Sequence, residues 1–441
     1  MLKDDRLPIV LVILDGLGDR ICAELGHQTP SEAAATPVLD ELAVRGCSGL
    51  HVPFGPGRAT SSEVSHWSLF GFEAWRFPGR AALEGLGKGL EPPRGVPLFH
   101  LALRAAMLRG STLGLGARAR VRDDDRDAAA LFAALEGRVC EGIAFELLPL
   151  RTGECVLIAA GAPSHEVSDT DALFEHLHPW LRPRALAEAT DPEAAATVAG
   201  ALESWLREGH RILSSHPVNM RRRQRGRPAL EIPVTKWASL LDPDLPSFEE
   251  HVGLRGAAVT DTALYRGLAR LLGMRRVQRD AGIADLTEDM AARVAEVQPL
   301  LEQADFVHVH VKAPDEAGHR KDPQRKRAVI EALDAGLEGL LPLAQRAIVA
   351  LTGDHATPSS GSLLHSGDPT PLLVAGPGVA ADAVERFGER HARRGTCDRL
   401  AAAEILPLLA GLANRPFFLG HRPGARRTLA LPGQPEAMPI D

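Results

Sequence analysis

Seven residues able to bind a cation or attack a phosphoryl group stand just after apolar runs or inside short turns. Asp15 closes "PIVLVILDG", and Ser62 follows Ser61 in "SSEVSHWSLFGF". Asp315 and His319 are four apart in "DEAGH", so both can face one point from a single helical turn or tight loop. Asp354 and His355 are adjacent in "TGDHATP", and His365 lies in "LLHSGDP". Carboxylate and imidazole together are the donor set of Zn2+ or Mn2+, and less so of Mg2+. One ion needs four to six donors. Two ions about 4 Å apart would use all seven residues.

Taken singly, an aspartate after a strand is a turn or helix cap, and a histidine in a loop is a loop histidine. Their recurrence at strand ends, in Asp/His combinations, outweighs that reading. It also gives Ser62 a role, because a serine hydroxyl is a weak nucleophile until a base or a metal activates it. Beside two cations, the serine oxygen would act as an alkoxide while the cations clamp the charged oxygens of a phosphoryl group. A helix expected to begin near Val64 would add its positive end. Ser61 reads as a cap or turn residue.

The elements that must position these residues follow an α/β pattern. "PIVLVIL" is apolar on both faces, as in a central strand of a parallel sheet covered by helices. "TPSEAAATPVLDELAVRG" follows with a helix cap, an early Glu32 and Gly46 as a stop. The pattern returns in "ADFVHVHVKAPDEAGH", "KRAVIEALDAGLEGLLPLA", "RAIVALTGDHATP", "TPLLVAGPGV" and "CDRLAAAEILPLLAGL", which read as strand, helix, strand, strand and helix. Ligands of such sheets bind beyond the strands' carboxyl ends. Three prolines in "EPPRGVP" break the chain, and shorter apolar runs and denser arginines follow to about Pro233. The expected organisation is a metal-binding catalytic domain in two parts, residues 1–97 and 235–441, interrupted by a smaller α/β domain over 98–234. An Ala-rich stretch near 188–201 reads as a helix.

A net charge of −7 argues against a general nucleic-acid binder. The basic run "NMRRRQRGR" is local, and serves either an anionic substrate or a solvated turn. Five cysteines without a CxxC pair point to a reduced, cytoplasmic protein with no disulfide framework. The apolar run at the N-terminus is far below the ~20 residues of a membrane span, so no membrane partner is expected.

With the residues in this order, the chain resembles the alkaline-phosphatase superfamily of metalloenzymes. Within it, the chain is most similar to the archaeal-type cofactor-independent phosphoglycerate mutases. The likeness runs over nearly the whole chain, through "VILDGLGDR", "SSEVSHWSLFGF", "PGRAALEGLGKGL", "SHPVNMRRRQRG", "KAPDEAGH", "TGDHATP" and "HSGDPTPLLVAGPGV". It implies an alkaline-phosphatase-like, mainly parallel sheet with helices on both faces, plus the inserted domain as a substrate-binding cap. It also implies two divalent ions (Mn2+, Zn2+ or Mg2+), one held by Asp15, Ser62, Asp354 and His355, the other by Asp315, His319 and His365. Ser62, directly before Glu63, would carry a phosphoserine during interconversion of 2- and 3-phosphoglycerate.

The inserted segment departs from the family. "LFHLAL" stands where an Arg-Cys-Asn stretch is expected, and Lys236 and Trp237 stand where an arginine is expected. Arg118, Arg120 and Arg122 in "LGARARVRDDD", with Arg221 and Lys236, are the residues left to grip a small phosphorylated substrate. Lysine does not reproduce the bidentate fork of arginine. The alternative is therefore a divergent phosphatase or phosphotransferase acting on another small phosphate or phosphonate ester.

Overall fold

The computed structural model describes residues 5–109, 112–120, 122–172, 178–277, 284–417 and 437–440. The chain forms two compact units. The first comprises 1–77, 246–265 and 269–441, and the second 78–245 with 266–268.

The first unit is built on an eight-stranded sheet. Its order across the sheet is Arg275–Val277, Gly256–Val259, Phe306–Val311, Ile9–Leu14, Ile348–Thr352, Thr370–Ala375, Cys47–His51 and Asp398–Leu400. Only Thr370–Ala375 pairs antiparallel to its neighbours, so the sheet is mainly parallel, as the sequence pattern predicts. All six residues of Ile9–Leu14 are buried, which explains the absence of polar alternation there. Its Val10, Val12 and Leu14 share one core with Val307, Val309, Val349 and Leu351 from the adjacent strands. Leu39, Ile330 and Leu333 cover that core from the helices Pro37–Arg45 and Pro323–Ala335. The register sets Leu14 beside Val311 and Ile13 beside Thr352. The three central strands therefore end level, and the polar residues after them emerge at one edge.

The second unit has a six-stranded antiparallel sheet. Thr112–Arg118, Pro97–Arg109, Glu154–Ala160, Ile143–Arg151 and Arg138–Cys140 follow in order, and Leu230–Leu240 also pairs with Pro97–Arg109. The Ala-rich stretch lies in the helix Pro192–Ser215, whose Asp191 caps it through the amides of Glu193 and Ala194. Val198, Leu202, Trp205 and Leu206 of this helix pack on Phe145 and Leu157 of the sheet. The compact unit starts at Pro78 and ends at Leu245, outside the sequence boundaries at 97/98 and 234/235. The reason is that Pro97–Arg109 and Leu230–Leu240 pair with each other, and the helix Arg80–Gly87 packs on both.

Among the described residues, no helix is long and apolar enough to cross a membrane.

Candidate metal centre and phosphoryl-transfer site

The loop that follows the first strand begins Asp15-Gly16. Gly16 has φ +63°, and a Cβ there would come within 2.5 Å of Thr357 Oγ1 and 2.7 Å of Asp315 Oδ1. Glycine is thus required for Asp15 to turn beside Asp315. The Gly16 amide donates to Asp354 Oδ1 at 2.9 Å. Beneath the loop, the buried Lys326 ammonium donates to the carbonyls of Gly16, Gly18 and Thr357 at 2.8–3.0 Å and to Asp19, fixing two site loops together.

Ser62 is the first residue of the helix Ser62–Leu69, which starts two residues earlier than the sequence pattern indicates. Ser61 occupies the cap position, but its side chain makes no capping hydrogen bond. Ser62 Oγ lies 2.8 Å from His355 Nε2, 3.2 Å from Asp15 Oδ1 and 3.4 Å from Lys312 Nζ. The serine is 4 % exposed, so its surroundings rather than water set its chemistry.

Two groups of donors flank it. Asp15, Asp354 and His355 offer ligand atoms within 4.8 Å of one another, and so do Asp315, His319 and His365. Asp315 and His319 share the helix Ala313–His319, which is the helical-turn geometry their spacing allows. The structure therefore brings together all seven residues singled out in the sequence.

The hydrogen-bond pattern assigns the imidazole protons. His365 Nδ1 donates to the Thr60 carbonyl at 2.8 Å, leaving a lone pair on Nε2. That Nε2 is buried, has no hydrogen-bond partner and lies 3.6 Å from Asp315 Oδ1. Thr357 Oγ1 donates to Asp315 Oδ1 at 2.6 Å and lies 3.2 Å from His355 Nδ1, which donates to it. His355 Nε2 then faces Ser62 as an acceptor. Asp354 Oδ2 is buried and without a partner. Lone pairs facing carboxylates, and an orphaned buried carboxylate oxygen, are what a divalent cation would satisfy.

The electrostatics agree. Burial alone would raise the Asp15 carboxyl, but the Lys312 ammonium and the His310 ring hold it below its ordinary value. Burial likewise opposes ionisation of Asp315, yet His319, His365 and Lys312 hold that carboxyl far below its ordinary value. Asp354 moves the other way, raised by burial and by the neighbouring Asp15 carboxylate. Burial keeps His355 neutral down to about 3, the state in which imidazole binds metal.

Several site residues carry no sequence signal strong enough to select them. Lys312 Nζ reaches Asp15 at 3.0 Å and Asp315 at 2.7 Å, bridging the two donor groups. Its position three residues before Asp315 is the one available clue. His310 Nε2 and Tyr265 OH both donate to Asp15 Oδ2, at 2.8 and 3.2 Å. His66 Nδ1 donates to the Ser62 carbonyl at 2.8 Å, and its Nε2 is buried without a partner.

The arginines predicted to grip the substrate divide. In the second unit, His100, Arg104, Glu154, Arg118 and Lys236 share one face of the sheet. His100 pairs with Lys236, Ala102 with Glu154, and Arg104 with Arg118. Lys236 is 3 % exposed, and burial with the nearby Arg118 lowers its ammonium to about 8. Its Nζ lies 4.2 Å from the Trp237 ring, and Arg80 lies over the same ring at 4.2 Å. Trp237 has φ +53°, and its amide donates to Asp169 at 2.8 Å. Arg120 and Arg122 lie elsewhere, in the exposed turn before the helix Asp125–Ala133, where their amides bond Asp124 and Asp125. Arg221 is exposed on the helix Pro217–Gln224. The rest of that basic run is largely structural: Arg222 binds Asp124 at 2.7 Å and Asp127 at 2.9 Å, Arg223 binds Glu231, and Arg227 binds Asp124. Arg80 is a cation beside Trp237 that the sequence reading missed, as is Arg104, which is bound to the buried Asp171 at 2.7 Å and to the Gly116 carbonyl and so supports the sheet. The alternation of His100 and Arg104 through "LFHLALRAA" is the signal that could have found Arg104.

A family model described as the metalloenzyme superfamily matches residues 7–410. The 2,3-bisphosphoglycerate-independent phosphoglycerate mutase of Pyrococcus furiosus is 34% identical over 413 residues, covering 92% of this chain and 97% of that protein. Mutase 2 of Methanocaldococcus jannaschii is 31% identical, covering 97% and 98%. Among solved structures, a Pyrococcus horikoshii protein superposes with a TM-score of 0.76 at 30% identity, covering 94% of this chain and 99% of that one. The cofactor-independent phosphoglycerate mutase of Thermoplasma acidophilum gives 0.65 at 27% identity, covering 92% and 100%. With two carboxylate–imidazole groups around a buried serine, and likeness along the full length, the chain belongs to the metalloenzyme superfamily and, within it, to the 2,3-bisphosphoglycerate-independent phosphoglycerate mutases.

Proposed function

We propose that this protein interconverts 2- and 3-phosphoglycerate by moving the phosphoryl group onto Ser62 and back. The observation that carries this reading is the position of Ser62 Oγ, 2.8 Å from His355 Nε2 at a helix N-terminus and flanked by two cation-ready donor groups. Asp15, Ser62, Asp354 and His355 would hold one divalent ion, and Asp315, His319 and His365 a second. Bound ions supply positive charge to the phosphoryl oxygens and lower the pKa of the serine.

The chain's own groups do the rest. His355 Nε2, 2.8 Å from Ser62 Oγ, is the atom that would hold the ion beside the serine, because its Nδ1 is engaged with Thr357. Lys312 Nζ adds a cation beside Ser62 and both carboxylates. The amides at the start of Ser62–Leu69 favour a dianionic group on Ser62. We read the second unit as the substrate-binding cap, with Arg118 and Lys236 on one sheet face as the cations suited to an anionic group.

A second reading is phosphoryl transfer on a different small phosphate ester. The Trp237 indole flanked by Lys236 and Arg80 favours it, because this chain presents an aromatic wall and a lysine where a guanidinium fork is expected. Phosphorus NMR of the manganese-loaded protein with 3-phosphoglycerate separates the two. Appearance of 2-phosphoglycerate at several turnovers per second supports the mutase. No interconversion, with phosphate released from p-nitrophenyl phosphate and phosphoserine trapped at Ser62, supports the second reading.

A further inference from the structure

A pair of thiols in the first unit belongs to none of this chemistry. Cys47 opens the strand Cys47–His51, and Cys397 immediately precedes the edge strand Asp398–Leu400. Their sulfurs are 2.9 Å apart. A disulfide has an S–S bond of about 2.05 Å, so the two need to close by only about 0.9 Å.

Several features hold them there. The Cys397 amide donates to the Ser48 carbonyl at 2.9 Å. Asp382 Oδ2 accepts from the amides of both Ser48, at 2.8 Å, and Thr396, at 3.0 Å, so one carboxylate grips the residue next to each cysteine. Two glycines make the approach sterically possible. A Cβ on Gly49 would meet Cys397 Cβ at 2.8 Å, and one on Gly395 would meet the Ser48 carbonyl at 2.1 Å. The remaining cysteines, Cys22, Cys140 and Cys155, are buried and are not paired with one another. Cys397 is half-buried and Cys47 is 8 % exposed, so a small oxidant reaches the pair from solvent. Either thiol can donate to the other sulfur, so the contact stabilises a thiolate on one member of the pair.

We propose that Cys47 and Cys397 form a reversible intramolecular disulfide under hydroperoxide oxidation, stapling the edge strand Asp398–Leu400 to Cys47–His51. The Cys47 thiolate attacks one oxygen of hydrogen peroxide. The S–O bond forms as the O–O bond breaks, and the departing hydroxide takes up a proton to leave water. The Cys397 sulfur then attacks Cys47. The S–S bond forms, the S–O bond breaks, and the Cys397 proton leaves with hydroxide as a second water. Two thiols and one peroxide thus give one disulfide and two waters, and a dithiol reductant reverses the change.

The bond would fix an otherwise exposed end of the sheet. The stapled strand runs to His51, whose Nδ1 donates to the Gly353 carbonyl at 2.8 Å, immediately before Asp354 and His355. Cross-linking a long loop also restricts the unfolded chain more than the folded one.

The test uses the full chain, treated with hydrogen peroxide or with dithiothreitol, then alkylated, digested and mapped by mass spectrometry. The expected result is joint loss of alkylation at Cys47 and Cys397, a linked peptide pair lighter by two hydrogens, and recovery with dithiothreitol. The thermal midpoint rises on oxidation. Cys397→Ser, at the more exposed position, is expected to keep the fold. It should leave Cys47 as a sulfenic or sulfinic acid, with no linked pair and no rise in midpoint. Full alkylation of both cysteines after peroxide, linkage of either to another cysteine or another chain, or an unchanged or lowered midpoint would each overturn the proposal.

Discussion

At the residue scale the reading turns on which groups do chemistry and which only support it. Ser62→Ala removes the nucleophile but one donor among several, so turnover should fall on the order of 10³-fold or more while bound metal largely survives. Residual activity of more than a few per cent would remove the role assigned to Ser62. Ser61→Ala should be mild, because the Ser61 side chain makes no capping bond. Chelation should abolish activity, and Mn2+, Co2+ or Zn2+ should restore it better than Ca2+, since imidazole donors disfavour calcium. His319→Ala and His355→Ala each disable a different donor group, so metal analysis should find about one ion fewer per chain in each variant. A single tightly held ion in the wild type, with no second site, would contradict the pairing. Lys236 gives a pH signature. Its ammonium is lowered to about 8 by burial and by Arg118, so its charge is lost as pH rises through that value. Substrate KM should therefore climb above about pH 8, and Lys236→Arg should move the rise to higher pH. The stability effect has the opposite sign: burying the ammonium costs stability below the folded pKa, and the cost is relieved between about 8 and the ordinary lysine value.

At the element scale, the centre depends on strands that end level and on a turn with no room for a side chain. Gly16 sits at φ +63° against Thr357 and Asp315. Gly16→Ala forces either the turn or those two residues to move. Stability should drop by about 1–3 kcal/mol, and the metal of the Asp315 group should be lost more readily than in the wild type. Calorimetric unfolding and metal analysis of the same sample check both. A variant of unchanged stability and full metal content would show that the turn does not fix Asp315. The antiparallel sheet of the second unit depends on its own pairing, which arranges Arg118 opposite Arg104 and Lys236 opposite His100. The strained backbone of Trp237 lies beside a register shift in that pairing. A left-handed conformation at a bulky residue persists only where surrounding contacts fix it, here the bond from its amide to Asp169.

At the scale of the whole molecule, each unit has its own hydrophobic core. The second unit is nearly continuous in sequence, and its core of Phe145, Leu157, Leu202 and Trp205 is formed entirely within it. Such a unit should fold alone. A fragment of residues 78–245 is expected to show a single cooperative thermal transition and the far-ultraviolet dichroism of a mixed helix–sheet protein. A non-cooperative melt would mean that the core is completed from outside the segment.

The sequence by itself determined the fold class, and it singled out seven residues that the structure gathers at one edge of the sheet. Both are written locally: apolar runs buried on two faces read as central parallel strands, and the acids and histidines stand immediately after them, where such sheets place their sites. The Asp315–His319 spacing already fitted one helical turn. Tertiary structure decided the rest. His310 and Tyr265 reach Asp15, Lys312 also reaches Asp15, and Thr357 also reaches Asp315, across long stretches of chain, and no spacing encodes those contacts. The same holds for the cations expected from the sequence to grip the substrate. Arg118 and Lys236 meet because strand register sets them on one face, whereas Arg120 and Arg122 fall in an exposed turn. Arg222, Arg223 and Arg227 neutralise carboxylates of their own unit. A run of arginines in a sequence has the same charge whether it grips a ligand or holds a helix in place, and only the positions of the opposing carboxylates distinguish the two.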